Sequence, residues 1–160
     1  MPPALLNCAQ PVKKENPNHY THQVSVIGYV YRGGKFLLLK RATEPQIWAP
    51  PGGRLHPDED PVHGLIREVK EETQLDVEVI TPANTWFGKF RGKYLLSIDY
   101  LVRITGGAVK LSREHSDFAW VSVAELRSGR PVDLGGSAVG FKVSDFEHAE
   151  RLIHALSVKP

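Results

Sequence analysis

The sequence predicts a mixed, mostly antiparallel β-sheet flanked by helices, in the α/β (α+β) class. Strand-like segments outnumber helical ones, and the helical segments lie between and after them. The first strand-like segments, 23–31 (QVSVIGYVY) and 35–41 (KFLLLKR), are rich in β-branched, aromatic and aliphatic residues. Gly33 and Gly34 supply turn residues between them. A β-hairpin is therefore predicted over residues 23–41.

Two amphipathic helices are predicted, one after a long loop and one near the end of the chain. Residues 42–60 carry repeated Pro, Gly and Asp, which indicates a long loop. Long loops in compact domains are often functional. Asp60 followed by Pro61 is a typical helix start, because the carboxylate caps free N–H groups and Pro tolerates the first helical position. The apolar face of this helix, at helical spacing, is formed by Val62, Leu65, Ile66 and Val69. Similar spacing predicts a second helix over 145–156.

The remaining segments complete the predicted sheet. Strands are predicted at 76–80, 85–90, 94–104 and 118–123. Arg91 and Gly92 mark a turn, and Gly106 and Gly107 end the strand before them. Residues 1–18 contain several prolines without periodicity, so we expect an irregular N-terminal arm followed by a single domain over 19–160.

Composition excludes several classes of protein. Twenty basic and eighteen acidic residues give a formal charge of +2, so a nucleic-acid partner is not expected. Cys8 is the only cysteine, which rules out an internal disulfide and a cysteine-based zinc site. No apolar run reaches the roughly 20 residues of a membrane span, and no signal peptide is evident. A cytoplasmic location without membrane association is expected.

Three carboxylates share one face of the first predicted helix. Glu68, Glu71 and Glu72 are spaced i, i+3 and i+4, where like charges repel one another. Mg²⁺ prefers oxygen ligands and is typically held by one or two carboxylates together with substrate phosphates, so this face could serve as a metal platform. The alternative is an ordinary solvated face balanced by Arg67 and Lys70.

The segment from Trp48 to Leu75 resembles the Nudix hydrolase family. The Nudix box reads G-x5-E-x7-R-E-U-x-E-E-x-G-U, where U is a bulky aliphatic residue. At the final glycine position the sequence has Gln74, which would cost of order 1 kcal/mol in a left-handed conformation. The positions that match the box are Gly53, Glu59, Arg67, Glu68, Val69, Glu71, Glu72 and Leu75.

The resemblance implies an α/β/α sandwich and a role for each box residue. Glu68 and Glu72 would be the principal metal ligands, and Glu71 would bind metal directly or through water and could serve as the base. A backbone carbonyl of Gly52 or Gly53 would complete the site. Arg67 would orient the carboxylates, and Glu59 would anchor the loop against Arg67. The implied ion is Mg²⁺, with Mn²⁺ as an alternative.

Further candidates lie outside the box. Many family members place another glutamate before a late strand, which makes Glu114 a candidate metal ligand or base, with a solvated loop residue as the alternative. His115 beside it is expected to be a polar surface group. Arg41 could bind phosphate or simply end an exposed strand. Trp48 is the tryptophan favoured to line the substrate cleft.

The implied reaction is hydrolysis of a diphosphate linkage by metal-activated water. The substrate would be a small-molecule nucleoside diphosphate derivative, such as a nucleoside triphosphate or ADP-ribose. The alternative is a Nudix-like sensor that binds nucleotides without turnover, although such a module would be expected to lack one or more of the helix glutamates. Family members often form homodimers, so a homodimer stays open, but no patch in the sequence predicts one.

Overall fold

The computed structural model describes residues 21–135 and 140–157; the predicted arm at 1–18 lies outside them. Seven strands form one mixed sheet, in which β3, β2, β1, β6 and β5 are neighbours in that order, β4 pairs with β1, and β7 pairs with β2. The strands are β1 Gln23–Arg32, β2 Lys35–Arg41, β3 Trp48–Ala49, β4 Gly52–Arg54, β5 Asp76–Phe90, β6 Lys93–Gly106 and β7 His115–Val121. The helices are α1 Pro61–Thr73, α2 Val123–Ser128 and α3 Val143–Ser157.

The central strand β1 connects two parts of the sheet. It runs parallel to β6 from Gln23 opposite Leu95 to Val30 opposite Val102. The predicted hairpin with β2 is present, but its ladder is confined to two residue pairs next to the turn. Beyond that point β2 turns to β7, with which it forms a longer antiparallel ladder. The two strands of the hairpin therefore diverge beyond the turn.

The segments predicted as two strands at 76–80 and 85–90 form the single strand β5. It pairs antiparallel with β6 along its length, and register shifts occur at Asp76/Val77, Val79/Thr81 and Pro82/Asn84. Irregularities of this kind re-aim side chains without ending a strand. The gap between the two predicted strands therefore corresponds to local irregularities within one strand.

The two faces of β1 and β6 are covered by different helices. Val26, Val30 and Val102 belong to a buried cluster with Leu65 and Val69 of α1. On the other face, the buried cluster that contains Phe146 and Ala149 of α3 is completed by Tyr29, Phe36, Leu38, Leu101, Val121, Val123, Leu126, Val132 and Leu134. Alternation along each strand sends successive side chains to opposite helices. The predicted sheet flanked by helices is confirmed.

Helix α1 begins and ends where the sequence indicates. The Asp60 carboxylate accepts hydrogen bonds from the backbone N–H groups of Val62 and His63 at 2.9 and 3.2 Å. Gln74 adopts a left-handed conformation with φ 61°, and its N–H donates to the Lys70 carbonyl. One residue of the predicted apolar face differs: Val62 is 36% exposed, because it lies in the first turn, next to the loop.

Helix α2 was not predicted from the sequence. The strand expected at 118–123 lies at His115–Val121 and is followed directly by α2. Ser122 caps this helix by accepting from the Glu125 N–H, while the Glu125 carboxylate accepts from the Ser122 N–H. This capping box ends the strand before Val123. Among the described residues, no helix is both long and apolar enough to span a membrane.

Candidate active site

Strand β4 brings the backbone of two glycines against the acidic face of α1. The Gly52 N–H donates a hydrogen bond to Glu72 Oε2 at 2.8 Å. A Cβ atom added to Gly53 would lie 2.5 Å from the carboxyl carbon of Glu68. Glycine at 53 lets the backbone lie against the Glu68 carboxylate, whereas a Cβ at Gly52 would instead overlap the backbone of β1. The local sequence thus builds a compact unit of two glutamates and a glycine strand.

Arg67 connects the acidic residues of this unit. Its Nε and Nη2 donate to the two oxygens of Glu59 at 2.7 and 2.8 Å, a bidentate pair. Its Nη1 donates to Glu68 Oε1 at 2.9 Å and to Glu71 Oε2 at 3.2 Å. Nη2 also reaches the carbonyl of Arg54 on β4. One guanidinium therefore fixes the loop, the helix and the strand relative to one another.

The electrostatic environment differs strongly among Glu72, Glu68 and Glu59. Burial, with further contributions from the charges of Glu68, Glu114 and Glu71, raises the pKa of Glu72 to about 8, although the Gly52 hydrogen bond opposes this shift. Burial also raises the pKa of Glu68, against the effect of Arg67. Hydrogen bonds from Arg67 and the His56 N–H lower the pKa of Glu59 to about 2. The acidic group therefore concentrates negative charge around Glu72.

A cavity of about 650 Å³ opens beside Glu72. Its volume is in the range of small-molecule sites. At the end near Glu72 it is lined by Gly52, Gly53, Arg41, Arg113 and Glu114, and its wall continues over the strands through Asn84, Trp86, Ser97 and Asp99. Basic, acidic and aromatic groups thus face one cavity.

The structure brings some predicted residues to the cavity wall and leaves others behind it. Those that line the wall are Arg41, Gly52, Gly53, Glu72 and Glu114. Glu68, Glu71, Glu59 and Arg67 are joined in the ion-pair network next to the wall. Trp48 differs from the expectation: it pairs with Lys40 across β3 and β2 and packs against the hydrophobic cluster, and it does not line the cavity.

His115 is placed differently from the surface position expected for it. Its side chain is only 9% exposed, and its Nε2 lies 3.6 Å from Glu72 Oε1. Its Nδ1 is buried without a hydrogen-bond partner among the described residues. Burial lowers the pKa of this imidazole, which favours the neutral ring. The first position of β7, opposite Arg41, directs His115 inward.

The donor atoms at this site suit a hard cation that needs few protein ligands. Within the described ranges, no three Asp, Glu, His or Cys side chains converge into a complete ligand cluster. Mg²⁺ does not require such a cluster, because one or two carboxylates typically hold it and water and phosphate complete its shell. Burial, together with the neighbouring carboxylates, raises the pKa of Glu72, and a bound cation would offset both effects. The residues present fit Mg²⁺.

Comparison with known proteins identifies the family. The family model described as NUDIX domain matches residues 21–137, which is most of the chain. The chain belongs to the Nudix family. A MutT-like protein from Streptomyces ambofaciens is 34% identical over 122 residues, which are 76% of this Nudix chain and 77% of the relative.

Two further matches extend the comparison. An asymmetrical bis(5'-nucleosyl)-tetraphosphatase from Caenorhabditis elegans is 32% identical over 96 residues, 57% of this chain and 70% of the relative. The crystal structure of a MutT protein from Methanosarcina mazei Go1 has a TM-score of 0.68 at 28% identity, and the match covers 82% of this chain and 95% of the other. The predictions of the family, of its fold and of a pyrophosphohydrolase of this family are confirmed.

Proposed function

We propose that this Nudix chain hydrolyses a diphosphate linkage in a nucleoside diphosphate derivative in a Mg²⁺-dependent reaction. The observation that carries the proposal is the buried Glu72 carboxylate, which is held by the Gly52 N–H at the wall of a cavity that also presents Arg41 and Glu114. A buried carboxylate surrounded by like charges is costly unless a cation or a proton accompanies it. Such a site suits a metal bound together with phosphate.

Glu68 and Glu72 would hold the ion, with a backbone carbonyl of Gly52 or Gly53, and Glu71 would contribute through water because its side chain is 59% exposed. When bound, Mg²⁺ neutralises charge on the diphosphate and lowers the pKa of a water that attacks phosphorus. Mn²⁺ has similar ligand preferences and is the alternative ion.

The protein's own side chains supply orientation and charge. Arg67 locks the Glu68 and Glu71 carboxylates in place through its shared Nη1. Arg41 offers a planar guanidinium at the cavity wall, suited to bidentate contact with phosphate. The exposed Glu114 carboxylate, in the same wall, is our candidate base, with Glu71 as the alternative.

The substrate class rests on the relatives and on the volume of the cavity. The C. elegans relative is named for cleavage of dinucleoside tetraphosphates. We propose nucleoside triphosphates or ADP-ribose for this chain, because the cavity of about 650 Å³ suits one nucleotide. A cytoplasmic location, formation of a homodimer and the single domain at 19–160 stay predictions.

The proposal is tested by incubating the purified protein with nucleoside triphosphates, ADP-ribose and dinucleoside polyphosphates, with Mg²⁺ or with EDTA. We expect Mg²⁺-dependent release of a nucleoside monophosphate, and loss of turnover in Glu72→Gln. Lys70→Ala is the matched control, because Lys70 lies on the same helix in an exposed ion pair with Asp76. Binding without turnover in Mg²⁺ would instead support the nucleotide sensor, and the hydrolase proposal would be abandoned.

A further inference from the structure

The cavity wall away from the glutamates is built from two rows of side chains on one sheet face. Asp99 of β6 lies opposite Ile27 of β1 and Asn84 of β5. The next row joins Ser97 of β6 to Ser25 and Trp86 on the same two strands. Residues two apart on a strand face the same side. All six line the cavity.

Asp99 is the buried charged group of this wall, at 2% exposure. Ser97 Oγ donates to its Oδ1 at 2.5 Å, and Tyr29 Oη donates to its Oδ2 at 3.3 Å. No Lys or Arg in the described ranges forms an ion pair with it. An ionised carboxylate has about four acceptor positions. Two donors therefore leave acceptor capacity on a carboxylate that lines the cavity.

Two neighbours complete a surface suited to a flat, polar ring. A Cβ atom at Gly88 would overlap the Trp86 indole, so this ring lies over the glycine backbone along the wall. Aromatic faces in such positions stack on planar heterocycles. The Asn84 side chain lies opposite Asp99 and has no hydrogen bond to any residue in the described part of the chain. Its amide is free to pair with a carbonyl or an amino group.

We propose that Asp99 reads the edge of a heterocycle that carries two adjacent N–H donors, with Trp86 as the stacking platform and Asn84 as the contact to the neighbouring carbonyl. This chemistry belongs to the 2-amino-4-oxopyrimidine ring, which is present in guanine and in pterins. Guanine presents N1–H and the 2-amino group side by side, next to the O6 acceptor. The proposal rests on the proposed function, because it assigns the base end of the same substrate cavity.

Asp99 also disfavours other bases, so this assignment favours guanine nucleoside triphosphates over ADP-ribose among the proposed substrates. Adenine presents one amino group beside the N1 acceptor, whose lone pair would face the carboxylate. A matched bidentate pair is worth about 1–3 kcal/mol, which corresponds to a preference of roughly 5- to 150-fold. Hypoxanthine keeps N1–H and O6 but lacks the 2-amino group. Its affinity should therefore fall between those of guanine and adenine.

Equilibrium binding tests this assignment without requiring turnover. GMP, IMP, AMP and dihydroneopterin are titrated against the full chain by calorimetry, and GTP, ITP and ATP hydrolysis is measured in parallel. We expect GMP to bind at least 10-fold tighter than AMP, with IMP between them. Asp99→Asn should reduce the GMP preference to within about 3-fold. Asp117→Asn, which removes an exposed carboxylate outside the cavity, should retain it.

The outcomes distinguish failure of the Asp99 assignment from failure of the hydrolase proposal. Equal binding of GMP, IMP and AMP to the wild-type protein would overturn the assignment of Asp99, whatever the hydrolysis assays show. A GMP preference without hydrolysis of any nucleotide would support it and count against the hydrolase proposal. A preference for dihydroneopterin over GMP would identify a pterin as the source of the recognised ring. A GMP preference that survives in Asp99→Asn would also refute the assignment.

Discussion

Removing the charge of Asp99 should stabilise the fold. Burial raises the pKa of Asp99 from its ordinary value of 3.8 to about 6, against the hydrogen bonds of Ser97 and Tyr29. The folded state therefore holds this proton more tightly than the unfolded state, so stability falls as the pH rises between these two values. A shift of about 2 units corresponds to about 3 kcal/mol in the free energy of unfolding.

In Asp99→Asn that contribution disappears, because the amide is neutral at every pH. Its oxygen still accepts from Ser97 Oγ, and its NH₂ group can donate to Tyr29 Oη. We expect the variant to exceed the wild type by up to about 3 kcal/mol at pH 8, and by little near pH 4. Urea unfolding at pH 4, 6 and 8 measures the difference. Asp117→Asn serves as the control and should follow the wild type.

The reasoning would be refuted by an Asp99→Asn protein that is less stable than the wild type at pH 8, or by a stability difference that does not change with pH. The first result would mean that the carboxylate hydrogen bonds outweigh the cost of burying the charge. The second would mean that Asp99 is protonated, or solvated, to the same degree in the folded and unfolded states. Either result would show that the buried charge of Asp99 does not destabilise the fold, and its burial would then not point to a functional role.

Three further predictions concern the glutamate network. Arg67→Lys keeps the charge but loses the bidentate contact, so activity or metal affinity should fall 10- to 100-fold, while Lys70→Ala stays near wild type in the same assay. Gly53→Ala should displace the flexible Glu68 carboxylate and reduce kcat/KM at least 10-fold. The double variant with Glu68→Ala should lose little more activity than Gly53→Ala alone. If the two losses were fully additive, Gly53 would not act through Glu68. Mg²⁺ at 100 times its Kd should add about 2.7 kcal/mol of stability in a thermal melt, and an equal gain in Glu72→Gln would exclude Glu72 as a ligand.

The helix that carries the glutamates could be predicted closely because its signals are local. Asp60 and Pro61 act on the first turn, and Gln74 ends the helix in a left-handed conformation that its box position indicated. Fixed spacing along one helix also places Arg67 within reach of Glu71 at i+4. Features that depend only on the geometry of one helix can therefore be predicted from the sequence.

The opposite wall of the cavity could not be predicted in this way, because it depends on register between distant strands. Ser97 and Asp99 interrupt an otherwise apolar strand at alternate positions, and this was the available signal. Their neighbour Asn84 is set by a ladder that shifts register between Pro82 and Asn84. His115 was wrongly expected at the surface. Its burial results from the pairing of β7 with β2, and no local sequence pattern reveals that pairing.

Glu72 and Asp99 are both buried carboxylates that line the same cavity. Each is a buried carboxylate whose pKa lies above its ordinary value, so each lowers stability when it is ionised. Backbone or hydroxyl donors reduce this cost at both positions without removing it. A ligand that brings a cation to Glu72 and paired N–H groups to Asp99 would compensate both charges at once. Nucleotide and Mg²⁺ together should therefore stabilise the fold, and Asp99→Asn should lower only the nucleotide's share of that gain.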